Sequence, residues 1–330
     1  MSSTLQQYWF ALQQTPVFEP GALLLLTLLL ARYAALPLQY QPWPLLHVLA
    51  QRIATKVNKA SDSQAQQRLA GSLALILLVV PLLVLAWALR HLSEWPAGFD
   101  ALLLYLCLDH RHFSSQVTIV AGSLQRQQLQ LAKDQLQPML RRDCGQLSAT
   151  GLAKAGVEVL AQRQLRHFAA VLFWFLVAGA VTALAWRLVV ELQQAWSGKI
   201  TNQRHFGSAV SRLGRLMLWP VCWLQGALVA MLFRFVQSVR YFRNSQQAGL
   251  PAAQRWYLSA WSAGLQRNLA GPVMIQGVKI RRERIGPDRA PDLADLILAQ
   301  VMEQQIQRAL WLLCCSGFAL TLFYQWPPSL

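Results

Sequence analysis

Long uncharged apolar runs alternate along this chain with three basic stretches, and that alternation leaves few folds open. Twenty-four of the thirty Lys and Arg residues lie in 32–70, 109–167 and 234–308. The run from Gly71 to Leu89 carries no charge and one hydroxyl, Ser72. At helical rise it reaches about 28 Å, close to the roughly 30 Å hydrocarbon core of a bilayer. Comparable runs cover 20–36, 168–190, 213–233 and 309–326, and a shorter one, Trp95 to Leu108, carries Asp100. A lipid-exposed segment must satisfy its backbone internally. The pattern therefore predicts an all-α, polytopic integral membrane protein with about six transmembrane helices.

The basic stretches set the orientation. Residues 1–19 hold no Lys or Arg, whereas the three stretches hold five, eight and eleven. Six crossings place all three on one side, the cytoplasm, and both termini on the other. Gly179 lies in the middle of 168–190, which allows this run to break into a re-entrant pair of half-helices. The expected organisation is a single membrane domain, 1–330, with helical cytoplasmic connectors at 109–167 and 234–308.

Composition narrows the function classes. At 55% hydrophobic and 13% charged residues, the chain is poorer in charge than a usual soluble domain. The net charge of +16 sits beside the apolar runs, where it suits anionic lipid headgroups rather than nucleic acid. Trp87, Trp95, Trp174, Trp186, Trp311 and Trp326 lie near run ends, as interfacial belts do. The N-terminal tail lacks the positive region of a cleavable signal. Cys107, Cys144, Cys222, Cys314 and Cys315 form no CxxC pair, so neither a disulfide framework nor a zinc site is indicated, and no other metal site is read.

Within the connectors, 117–142 reads as one Gln-rich helix ended by Pro138. Thr150 is placed to cap a second helix that runs into the apolar run at Phe168. After Pro291, the spacing of Leu293, Leu296, Ile297, Val301, Met302 and Ile306 predicts an amphipathic helix, with Asp292 and Asp295 at its N-terminus. Gly271-Pro272 and Gly286-Pro287 mark turns. Asp109-His110-Arg111-His112 offers ligand atoms, but histidines two apart do not share a helix face, and a solvated loop is the expectation. The basic run 279–284 suits a phosphate or a lipid headgroup. Arg187 can snorkel from its run end or face inward as a site residue. No P-loop, GxSxG, HExxH or GxGxxG is present.

Ala132-Lys133, Leu136 and Arg142-Asp143 lie in the order of an AR…L…VGRD segment. Ala155-Gly156-Val157-Glu158-Val159-Leu160-Ala161-Gln162-Arg163 and Ala170-Val171-Leu172-Phe173-Trp174 follow the pattern AAVESVAENxVDGVxAPLFW. Trp186-Arg187 stands for a YR pair. Arg204-His205-Phe206-Gly207-Ser208-Ala209 with Arg212-Leu213 echoes RYRDFGWAxARLDD. Asn268-Leu269-Ala270-Gly271-Pro272, then Gln276 to Ile280, follows NxGxP…AGALGVRLG. Pro42-Trp43-Pro44 takes the place of an HPV-type segment. In order and spacing the chain resembles the CobD/CbiB family, the adenosylcobinamide-phosphate synthases of cobalamin biosynthesis.

That resemblance implies a protein of the bacterial inner (plasma) membrane, and the charge pattern above places its termini in the periplasm. It implies an ATP-dependent ligase that joins an aminopropanol phosphate to a propionate of adenosylcobyric acid, with ATP and Mg²⁺. A corrinoid would then be a partner beside the bilayer lipids. The retained acidic positions Asp143 and Glu158 become the catalytic candidates. Arg142, Arg187, Arg204, Arg212 and Asn268 become the substrate- or phosphate-binding ones. Arg142, Asp143, Glu158, Arg187 and Arg212 are expected to line one polar pocket. The departures are as specific as the matches. The Glu, Asn, Asp and Gly of ENxVDG stand here as Gln162, Arg163, Arg166 and His167. The two Asp of ARLDD are Gly214 and Arg215, and the Asn and Asp of an NTLD segment fall on Val190 and Gln193. Arginine in place of carboxylate reverses local charge and weakens a Mg²⁺-ATP site of the family type. Two readings follow: a divergent ligase, or a catalytically degenerate membrane scaffold or regulator like the related AmpE family.

Overall fold

The structure, a computed structural model, describes residues 18–34, 36–58, 62–109, 111–140, 144–196, 205–247, 249–275, 278–280 and 282–325. It is built of helices: α1 (Phe18–Tyr33), α2 (Trp43–Val57), α3 (Gln64–Leu92), α4 (Pro96–Cys107), α5 (Arg111–Gln125), α6 (Leu129–Leu136), α7 (Ala149–Arg163), α8 (Ala170–Ala195), α9 (Ser208–Leu232), α10 (Phe235–Asn244), α11 (Ala252–Leu265) and α12 (Leu293–Gln325). A π-helical segment, Gln164–Ala169, joins α7 to α8.

The membrane-protein reading holds, with a different division of spans. Among the described residues, four helical stretches are long and apolar enough to cross: Gln64–Leu92, Ala149–Ala195, Ser208–Leu232 and Leu293–Tyr324. The runs at 20–36 and 95–108 become α1 and α4, of 16 and 12 residues, about 24 and 18 Å long. They lie side by side in the same direction: Trp95 meets Glu19 at their starts, and Tyr105 meets the Ala34 carbonyl at their ends. With the four longer helices, these two are the shorter members of the expected set of about six.

Long-helix starts follow from their sequences. Ser63 and Gln66 form a reciprocal capping box at the start of α3. Leu73, Leu77, Val84 and Leu85 then stand exposed along its length, as suits lipid rather than water. At α12, the Asp292 and Asp295 side chains accept from each other's backbone N–H at 3.1 and 2.8 Å. The expected amphipathic face is met in part: Leu296, Met302 and Ile306 are buried, together with Ala299, whereas Ile297 and Val301 are exposed.

Two connector readings change. The Gln-rich segment is not one helix, because Gln127 takes a left-handed φ of 59° and α5 and α6 turn back on each other there. Val120, Ala132, Leu136, Cys144, Leu152 and Ala155 form the small core between α5, α6 and α7. The α7 cap is Ser148, whose hydroxyl accepts from Gly151 N–H at 3.2 Å, rather than Thr150. Around the first expected glycine-proline turn and up to the second, the chain also forms short antiparallel ladders. β1 (Leu269–Ala270) pairs with β4 (Arg284–Ile285), and β2 (Val273–Ile275) pairs with β3 (Val278–Ile280). Gly286 closes this arm with φ +112°, where a Cβ would lie 1.9 Å from Ser262 Oγ.

Candidate functional site: a cationic cavity beside a broken helix

The apolar run 168–190 does not form one rod. Ala178 (φ −141°, ψ 15°) and Gly179 (φ 82°, ψ −178°) leave helical geometry in the middle of α8. Residues twenty apart on a continuous helix lie about 30 Å from each other. Here Trp186 Nε1 donates to the Arg166 carbonyl at 2.7 Å, and Arg187 meets His167. The chain therefore reverses at 178–179. Segments 164–177 and 180–195 form a helical hairpin, the re-entrant geometry that Gly179 allowed.

The π segment lies at the root of this hairpin. A π turn displaces the usual i→i−4 partners, and side chains take up local carbonyls. Trp186 covers that of Arg166, and the Tyr257 hydroxyl donates to that of Ala161 at 2.7 Å while lying 3.0 Å from Gln164 Oε1. Burial pushes the Tyr257 phenol well above its ordinary range, so it stays a neutral donor.

Behind the hairpin root is a buried charge cluster. Arg187 is 2% exposed; its guanidinium lies 2.9 Å from Glu191 Oε1 and 3.5 Å from Asp109 Oδ2. It also sits 4.8 Å from the Trp43 ring centroid. The Trp43 indole in turn donates to the Leu106 carbonyl at 3.0 Å. One cation thus ties the returning half of α8 to the end of α4 and the start of α2. Asp109 is buried, which corrects the expectation of a solvated loop there. His110 lies outside the described residues.

In front of the hairpin root is a cavity of about 560 Å³. Its wall includes Glu158, Gln162 and Arg163 from α7, Arg166 and His167 from the π segment, His47 from α2 and Gln194 from α8. Gln254 of α11 and Ala270, Gly271, Val273 and Arg282 of the β arm add to it, and Pro138, Met139, Leu140, Val159, Leu250 and Leu258 give it an apolar side. Among these described lining residues there are three guanidiniums and one carboxylate, Glu158. Arg166 Nε is buried without a hydrogen-bond partner among the described residues. Such a donor set suits an anion. It does not make the several-oxygen shell that Mg²⁺ takes, and the described residues contain no group of three or more His, Cys, Asp or Glu placed to hold a metal.

The sequence-predicted residues separate accordingly. Glu158 lines the cavity. Arg187 is one layer behind it, reaching the wall through His167. Asn268 is fully buried at the base of the β arm, where its Oδ1 accepts from Lys154 Nζ at 2.8 Å and its Nδ2 donates to the Asp288 carbonyl at 2.9 Å. Arg212 is exposed on α9 and is not among the lining residues. Arg142, Asp143 and Arg204 lie outside the described residues. Residues the sequence did not mark as site residues are His47, His167, Arg163, Arg166, Gln194 and Arg282. Four departures from the ENxVDG pattern, Gln162, Arg163, Arg166 and His167, were the available signal, since all four line this cavity.

A family model described as CobD/Cbib protein matches residues 24–312. The chain belongs to the CobD/CbiB family. It is 26% identical over 279 residues to the cobalamin biosynthesis protein CobD of Chromobacterium violaceum, covering 82% of this chain and 86% of that protein. It is 30% identical over 243 residues to that of Stutzerimonas stutzeri, covering 74% and 80%. The Mycobacterium tuberculosis (strain H37Rv) protein of the same name is 25% identical over 248 residues, covering 73% and 79%. No solved structure matches. As a CobD/CbiB member the chain is a membrane protein whose named relatives are biosynthetic. Its Ala155–Trp174 match to the family pattern is the stretch that forms α7, the π segment and the first half of the hairpin.

Proposed function

We propose that this chain acts in cobalamin biosynthesis as a CobD-type, amide-forming enzyme of the bacterial inner membrane, and that the cavity holds the phosphate of its small amine substrate. The observation that carries this reading is the placing of Arg163, Arg166 and Arg282 with one carboxylate, Glu158, on the wall of a single cavity. A volume of about 560 Å³ is that of a small-molecule site, large enough for an aminopropanol phosphate. The guanidiniums neutralise the phosphate and fix its orientation. Glu158 then faces the amine end, where it orients the ammonium and takes the proton that must leave before nitrogen attacks a carboxyl carbon. ATP supplies the activation of the corrinoid propionate. The single described carboxylate does not fit a family-type Mg²⁺ site, and the guanidiniums carry the charge neutralisation instead.

The chain is read as one membrane domain. The exposed Arg234, Arg240 and Arg243 meet anionic headgroups. Complementation tests the enzymatic reading. A bacterium lacking its own adenosylcobinamide-phosphate synthase is given this chain and cobyric acid, and cobalamin-dependent growth is scored. Growth is expected, and is expected to be lost in Glu158→Ala and Arg166→Ala proteins that still reach the membrane. Absence of growth with the unaltered protein present in the membrane overturns the reading.

A further inference from the structure

His167 stands between two environments. It lines the cavity, and its Nδ1 meets Nη1 of Arg187. A guanidinium is permanently charged and carries donors only. The contact therefore requires a lone pair on Nδ1, which leaves the ring proton on Nε2 and the imidazole neutral. Arg187 is not able to swing away, because Glu191 and Asp109 hold its other edge and Trp43 covers its face. A group bound to one ring nitrogen of a histidine decides what the other presents. In metal sites this role falls to the residue behind the ligand; here a buried arginine occupies the equivalent place.

We propose that Arg187 is a positioning residue that fixes His167 as a neutral ring protonated on Nε2, setting a hydrogen-bond donor edge into the cavity wall. The charged and titratable groups around this ring come from every neighbouring element. Arg187 and Glu191 belong to α8, Asp109 follows α4, His47 lies on α2, Glu158 and Arg163 on α7, and Arg166 precedes it in its own segment. The donor edge complements the three cavity guanidiniums, since all present N–H groups to an anion. Only this last use rests on the anion-binding reading of the cavity; the ring's protonation does not.

The test is the nitrogen spectrum of ¹⁵N-histidine-labelled full-length protein in lipid nanodiscs, with His167 assigned by its loss in His167→Gln. An unprotonated Nδ1 and a protonated Nε2 are expected throughout the interval from about pH 5 to 8 in which an ordinary histidine titrates. In Arg187→Gln the ring is expected to show both tautomers and to take up a second proton within that interval, and Arg187→Lys is expected to restore the single tautomer. A wild-type His167 protonated on Nδ1, or on both nitrogens at neutral pH, overturns the proposal even if the variants fail to fold. Titrating inorganic phosphate separates the two readings. A shift of the Nε2 resonance supports both. The expected tautomer with no phosphate response at any cavity residue supports the Arg187–His167 pairing and counts against the anion site.

Discussion

Two apolar segments of this chain, the hairpin 164–195 and α12, look alike in sequence and behave oppositely in the fold. In α12, Leu312, Leu313, Leu320 and Phe323 are exposed along the outer half, and the buried polar groups lie in the inner half, Asp295 with Arg267 and Glu303 with Gln307. In the hairpin, Trp186, Leu188, Val190 and Leu192 are buried beside Arg187 and Glu191. Apolar content alone does not say whether a segment faces lipid or builds a site. The buried ionic pair and the mid-run glycine do, because an internal charge survives in low dielectric only with partners, and those partners require neighbouring chain.

Breaking the hairpin should cost most at its charge cluster. Arg187→Met leaves Asp109 and Glu191 buried without their cation, and a loss of about 3–5 kcal/mol is expected, read as a lowered unfolding midpoint in detergent. An unchanged midpoint would mean that the cluster is not buried as described. At the reversal itself, Gly179→Val places a branched residue at φ 82°, ψ −178°, a region essentially reserved for glycine, and is expected to cost about 1–3 kcal/mol. There is open space for the side chain, so a neutral effect would indicate that the chain does not turn there. The mildest change belongs to α12. Asp292→Ala removes one N-terminal cap, about 1 kcal/mol.

The Asp292 cap also titrates. The Asp295 backbone N–H holds the Asp292 carboxyl below its ordinary range. Its contribution to stability is therefore complete above the unfolded carboxylate value and is lost as pH falls through the lower folded one. A wild-type minus Asp292→Ala stability difference that shrinks under acid, with little change near neutrality, checks the sign.

Much of this fold could be read from the residues. The apolar runs, the capped start of α12 and the break allowed by Gly179 all follow from composition and spacing. What spacing could not supply was the consequence of that break, because the contact between Arg187 and His167 exists only once the chain has turned back. The β arm was missed since strands of two or three residues are too short for any periodicity to register. Asp109 looked solvated for a related reason. Its neighbours in sequence are polar, while its burial comes from α8. Of the cavity, the part on 158–167 was visible as a cluster of charge reversals against the family pattern. His47, Gln194 and Arg282 arrive from distant elements.

The π segment sets a limit on how this region tolerates change in length. Successive α-helical residues are rotated by about 100°, and the wider turn at Gln164–Ala169 shifts that phase before the hairpin begins. The π segment holds one residue more than an α-helix of the same total rotation, so loss of one residue there would let the helix run on in ordinary register with the part up to Gly179 keeping nearly its direction, whereas loss of one residue between Glu158 and Gln164 would turn that part by about 100°. After the second change Arg166 and His167 would leave the wall that Glu158 faces, although the chain would have lost neither charge. The cavity is thus encoded partly by a count of residues, and a comparison of sequences that scores only which amino acids are kept will overlook it.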